Sequence, residues 1–231
     1  MLVELQPAYV LHTRPYRDTS LLVDVITPDF GRLTLVARGV RTKKSHKKHL
    51  YHPFVRVLIS FQGKSDLKLL TQIETESIAL PLQGNYLFSG FYLNELLVRL
   101  LPEHDPHDGV FAEYEHSLLQ MVHQRPLEPI LREFELSLFD RLGYQIPFDC
   151  ECQNGEPIHV NGLYHLQIGQ GFYAVDPQTV DGIGFAGEHL LAIHVRDFSS
   201  PEVLVSAKRL VRMLLKPLLG RQPLHSRDLF K

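Results

Sequence analysis

Cysteine is nearly absent from this 231-residue chain. The two that occur, Cys150 and Cys152, stand one residue apart and cannot staple a small secreted fold, which points to a reducing, cytoplasmic location. No apolar run approaches the roughly 20 residues of a membrane-spanning helix. The N-terminus, MLVELQPAYVLHTRP, lacks the basic-then-apolar order of a signal peptide. Also missing are a nucleophile elbow, a P-loop, a dinucleotide fingerprint and an HExxH zinc helix. With 13 histidines any triad can be drawn on paper, so none counts, and neither a catalytic residue nor a cofactor is expected. Structural zinc usually takes two cysteine pairs at C-x2-4-C spacing. Cys150-Glu151-Cys152 supplies one pair at the wrong spacing, and His159 and His165 add little in so histidine-rich a chain. The run Glu103-His104-Asp105-Pro106-His107-Asp108 reads as a polar connection between helices rather than a cation site.

What is present is a hydrophobic content of 44% with 22% charged residues, the composition of a globular protein that buries a core. The net charge of −2 conceals an asymmetry. Residues 1–80 carry 12 Lys/Arg against 7 Asp/Glu, and the remainder carries 12 against 19. A basic N-terminal third suits a polyanion. Its basic residues concentrate in Phe30–His49, FGRLTLVARGVRTKKSHKKH. Six of the twelve residues from Arg38 to His49 are Lys or Arg and none is acidic. A cationic loop growing out of a strand can present charge to a phosphate backbone; a bare charge run is equally compatible with a solvated loop.

Residues 1–80 read as β. Strands are expected at Tyr9–Thr13, Leu21–Ile26, Arg32–Arg38, Val55–Phe61 and Leu67–Ile73, each with period-2 alternation and separated by Pro, Asp and Gly turns. Five short strands with a long connection after the third fit a small closed barrel, of OB or SH3-like type. After Leu80-Pro81-Leu82 the period becomes helical. One helix ends before Pro102, a second holds Tyr114, Leu118 and Met121, and a third opens at Pro129 and stops at Gly143. Residues 144–185 lose the helical period and read as an irregular insert with a short hairpin near Gly171–Val175. A last helix begins at Ser200-Pro201 and runs to Gly220. On it Lys208, Arg209, Arg212 and Lys216 share a sector roughly 100° wide, with no acid at helical spacing. The fold class is therefore α+β: a domain at 1–80 and a helical domain at 81–231 with its insert.

The segments YVLHTRPYRDTSLLVDVITPDFGRLTLVARGVRTKKS, YLFSGFYLNELLVRLLP, REFELSLFDRLGY and AKRLVRMLLKPLLGRQPLHSRDLF together resemble the RecO family of bacterial DNA repair proteins over essentially the whole chain. The resemblance implies an OB-fold followed by a helical domain, and a recombination mediator rather than an enzyme. Such proteins bind single- and double-stranded DNA, anneal complementary strands, engage the acidic, apolar-ended tail of the single-stranded-DNA-binding protein SSB, and with RecR help load RecA. On the matching positions, Arg14, Arg17, Arg38 and Arg41, with Lys43, Lys44, Lys47 and Lys48, become the expected DNA contacts. Arg132, with Lys208, Arg209, Arg212 and Lys216, is the site expected from charge for the SSB tail. Tyr16, Tyr51 and Phe54 are candidates for stacking on bases, with a core or structural role the favoured alternative for each. The second cysteine pair that some members carry in the insert is missing, so zinc is not carried over. An OB adaptor for RNA or peptide, without annealing activity, is the other reading these residues allow.

Overall fold

A computed structural model describes residues 1–42, 48–76, 78–176 and 184–230. They fall into two compact units, Met1–Arg125 with Arg221–Lys231, and Pro126–Gly220.

The first unit is built on a closed barrel of five strands: β1 (Leu2–Tyr16), β2 (Ser20–Thr27), β3 (Gly31–Ala37), β4 (Arg56–Gln62) and β5 (Lys68–Thr75). Their order is β1-β2-β3-β5-β4. A simple meander would put β4 beside β3. Instead β3 pairs with β5 in parallel, Leu35 to Lys68 and Ala37 to Leu70, and β1 closes on β4. That Greek-key order settles the choice left open by periodicity in favour of the OB type.

β1 is much longer than the expected Tyr9–Thr13. Its N-terminal half pairs with β4 and its C-terminal half with β2, with register shifts between Val3 and Gln6 and between Val10 and His12. Those bulges let one strand turn a barrel corner. They also break the alternation by which a strand is recognised, and Leu5, at φ 51, sits in the first of them. Inward residues from all five strands, among them Val10, Val25, Leu35, Ile59 and Ile73, fill the barrel.

Helices α1 (Gly84–Leu100) and α2 (Val110–Val122) belong to the same unit, and a C-terminal 3-10 turn (His225–Phe230) packs on α1. Tyr9 on β1 meets the Tyr114 ring of α2 edge-on at 5.4 Å. The Asn94 amide donates to the Leu11 carbonyl (3.0 Å) and accepts from the Tyr114 hydroxyl (2.6 Å), all in the interior. Gly90 is required on α1, because a Cβ there would stand 2.8 Å from the Phe54 ring.

The second unit holds α3 (Leu127–Arg141), α4 (Gly187–His194), α5 (Pro201–Leu219) and a small sheet of order β7-β6-β8, where β6 is Leu163–Gln167, β7 Gly171–Ala174 and β8 Phe185–Ala186. The expected hairpin is β6–β7. The insert is thus more regular than its sequence reads, and the eight-residue α4 is too short to announce itself by period. α5 starts as expected: Ser200 Oγ accepts from the Glu202 and Val203 amides, and Pro201 takes the first helical position.

Candidate nucleic-acid interface

Strand pairing decides where the basic residues of the barrel meet. Tyr16 pairs with Ser20 and Leu21 with Ala37, so the β1–β2 turn and the segment leaving β3 emerge at one end of the barrel. Arg17 occupies that turn with φ 50 and lays its guanidinium 5.1 Å from the Tyr16 ring centre. The Arg41 amide donates to the Thr19 carbonyl (2.9 Å), and Arg41 Nη1 donates to the Arg17 carbonyl (3.0 Å). Arg38 leaves β3 at the same end, and Arg17, Arg38 and Arg41 are all exposed. Lys48 is exposed in a 3-10 turn at Lys48–Tyr51, while Lys43, Lys44 and Lys47 lie outside the described residues.

Arg14 stands further along β1, its Nη1 3.7 Å from Asp24 Oδ2. Asp24 is almost wholly buried and receives the Thr34 hydroxyl at 2.6 Å. Burial works to raise its carboxyl, but the hydrogen bonds from His12 and Thr34 and the charge of Arg14 outweigh that and hold it below the usual range. Of the aromatic candidates, Phe54 is buried and Tyr51 packs on the barrel core; Tyr16 is half-exposed at the arginine cluster.

The acidic run 103–108 has a structural task. Glu103 Oε1 accepts from Arg32 Nη1 (3.0 Å) and from the Thr34 hydroxyl (2.7 Å), and the His104 amide donates to the Arg32 carbonyl (2.9 Å). This connection between α1 and α2 is clamped on the outer face of β2 and β3.

In the second unit the expected tail-binding residues separate into two groups. Lys208, Arg212 and Lys216 are exposed on α5, around a groove of about 490 Å³ that also includes Val205 and Met213. Arg209 lines the same groove but is tied down, with Nη2 donating to the Gly184 carbonyl and its guanidinium 4.2 Å over the Phe185 ring. Arg132 is 6% exposed and its Nη2 lies 3.0 Å from Glu135 Oε1, inside the unit rather than on the α5 face. No acid of α5 itself at helical spacing is expected to neutralise the sector; Glu128 on α3 reaches Lys208 at 3.0 Å from outside that helix. Helical spacing sees acids on the same helix only, and this one comes from a neighbour.

Cys150 and Cys152 are free and half-buried. Among the described residues, no group of three or more His, Cys, Asp or Glu is placed to hold a metal. No helix among them is long and apolar enough to cross a membrane.

A closed OB-type barrel with arginines gathered at one end, in a chain whose helices carry a cationic groove, has the make-up of a binding protein with basic surfaces. Comparison with known proteins gives the family. The model for Recombination protein O N terminal matches residues 1–79, and that for Recombination protein O C terminal matches residues 82–228. The DNA repair protein RecO of Cellvibrio japonicus is 54% identical over 230 residues, covering 100% of this chain and 98% of that protein. Those of Mannheimia succiniciproducens and Haemophilus influenzae (strain 86-028NP) are 45% and 44% identical, covering 96% and 98% of this chain and 96% and 95% of theirs. The chain belongs to the RecO family of DNA repair and recombination mediators, which are not enzymes.

Proposed function

We propose that the protein binds single- and double-stranded DNA at the basic end of its barrel and anneals complementary strands. We further propose that it engages the SSB tail and RecR to promote RecA loading, in the cytoplasm and in association with the nucleoid. The two domains are the barrel, 1–80, and the helical remainder, 81–231. The observation that carries the reading is the convergence of Arg17, Arg38 and Arg41 at one barrel end, where the basic loop also departs. Annealing brings two phosphate backbones together against their repulsion, and a cluster of guanidinium groups screens that charge without any bond being made or broken. Arg14 extends the cluster along β1, and Tyr16 offers a ring beside it for an unpaired base. The exposed α5 cations around Val205 and Met213 suit a peptide of acidic residues ending in an apolar one.

The test is the salt dependence of oligonucleotide affinity. Replacing Lys43, Lys44, Lys47 and Lys48 by Gln should weaken binding and flatten the slope of log affinity against log salt. The change should be about 0.7 to 0.9 for each phosphate that the variant no longer neutralises. An unchanged slope would remove the loop from the interface. Annealing of SSB-coated complementary strands, with and without the protein, checks the mediator role; preference for RNA or peptide over DNA would support the adaptor instead.

A further inference from the structure

A groove of about 590 Å³ in the first unit runs between β1, α1 and the C-terminal turn, and shares only Arg14 with the DNA contacts named above. Its floor is apolar: Leu11 from β1, Phe91 and Val98 from α1, Leu229 from the turn. Around it stand His12 and Arg14 from β1, Arg99 from the last turn of α1, and His225. The acid that lines it, Glu95, is already occupied by the turn. Its Oε1 accepts from the His225 amide (2.9 Å), and its Oε2 from the Ser226 amide (2.8 Å) and hydroxyl (2.6 Å). The turn is also fastened by Arg99 Nη1 donating to the Pro223 carbonyl (3.0 Å), and by Phe88 meeting Phe230 at 5.7 Å. The result is a preformed groove of carbon surface with two guanidinium groups, Arg14 and Arg99, at its rim beside the tied-down Glu95 carboxylate. An unpaired nucleotide needs that combination, with its base on carbon and its phosphates against guanidinium groups.

The outer face of β2 and β3 at Asp24 and Thr34 is closed by the α1–α2 connection, with Arg32 Nε donating to the Leu101 carbonyl at 2.9 Å. Gly31 lies so close to the Asp105 carbonyl that not even a Cβ would fit between them. Arg14, exposed on β1 three residues before Arg17, lines the groove as well.

We propose that this groove is a nucleotide subsite, which takes one unpaired base of single-stranded DNA over Phe91 and Leu229 with the flanking phosphates on Arg14 and Arg99. The inference rests on the DNA-binding reading above. An acidic peptide shares some of this chemistry, but Arg14, which lines the groove and is also one of the DNA contacts named above, favours DNA.

The test uses the full chain, labelled oligothymidylate, and the same oligonucleotide with abasic positions. Leu229→Ser should weaken oligothymidylate binding roughly three- to tenfold, and the deficit should vanish on the abasic strand. Arg99→Gln should weaken both strands and lower the salt slope by about one. Because Arg99 also holds the turn, cross-linking of wild-type protein to 5-iodouracil DNA supplies a readout independent of folding, with adducts expected on peptides carrying Phe91 or His225. If wild-type protein binds no oligonucleotide, the DNA reading and the subsite fail together. If it binds, and Arg38→Ala/Arg41→Ala weakens it while Leu229→Ser and Arg99→Gln do not, the subsite alone is overturned. Loss of an acidic, Phe-ended peptide with DNA binding intact would assign the groove to peptide and equally overturn it.

Discussion

A single hydroxyl hydrogen on Thr34 faces two carboxylates, Asp24 Oδ1 at 2.6 Å and Glu103 Oε1 at 2.7 Å. The surplus negative charge is balanced by Arg32 on Glu103 and by Arg14 approaching Asp24 at 3.7 Å, while His12 Nδ1 stands 3.6 Å from the same carboxylate. Thr34 thus joins the barrel wall to the connection that covers it. Thr34→Val keeps the volume but removes the donor, leaving Asp24 buried with one partner fewer. The expected loss is on the order of 1–3 kcal/mol in urea unfolding at pH 7. The pH dependence has a definite sign. Asp24 is held below its ordinary 3.8 in the folded state, so its contribution is complete above that value and is lost as pH falls through the lower folded one. The gap between wild type and Thr34→Val should therefore narrow below about pH 4; a gap independent of pH would remove Asp24 from the account. None of this was legible in the sequence, where Asp24 is one strand residue and Glu103 belongs to a polar loop far along the chain.

Elements were far more legible than their partners. Alternation placed all five barrel strands and helical period placed α1, α2, α3 and α5, because each pattern is local. The parallel pairing of β3 with β5 is long-range, and so periodicity alone left OB and SH3-like barrels undivided. Arg132 shows the same limit within a helix. Its charge marked it for the surface, while the α3 geometry three residues on supplies Glu135 as a buried partner. The arginines of the barrel end were legible because they crowd two turns; Arg99 and His225 were not, since only the docking of the C-terminal turn on α1 brings them to β1. The insert makes a prediction at this scale. Phe148, Phe172 and Phe185 meet in sequence, tilted at 5.8 Å and then edge-on at 5.7 Å, with Arg209 over the last ring, so aromatic packing holds the region around Cys150 and Cys152. A chelator, or the double change Cys150→Ser/Cys152→Ser, should leave the melting temperature within about 2 °C, whereas Phe172→Ala should cost about 3–5 kcal/mol. A large loss on chelation would show that metal, not aromatic packing, secures the insert.

Across the whole molecule, charge is divided between the basic first 80 residues and an acidic remainder. On that remainder the α5 face gathers three exposed cations, Lys208, Arg212 and Lys216, on one side of one helix. Lys208 is partly occupied by Glu128, through a pair in which both side chains are about half exposed (45% and 55%). Such a pair is worth only about 0–1 kcal/mol, so it cannot lock the site and acts as a weak competitor for any incoming carboxylate. Lys208→Glu/Arg212→Glu should weaken an acidic tail peptide roughly tenfold or more while leaving oligonucleotide affinity unchanged, since the barrel residues are untouched. Glu128→Gln should act in the opposite direction and tighten the peptide roughly two- to fivefold by freeing Lys208. Both effects should shrink as added salt shortens the screening length to a few ångströms. A peptide titration at low and high salt on these two variants decides the matter. If the charge reversal has no effect, the face is not the tail site; if only Glu128→Gln is silent, Glu128 does not compete for Lys208.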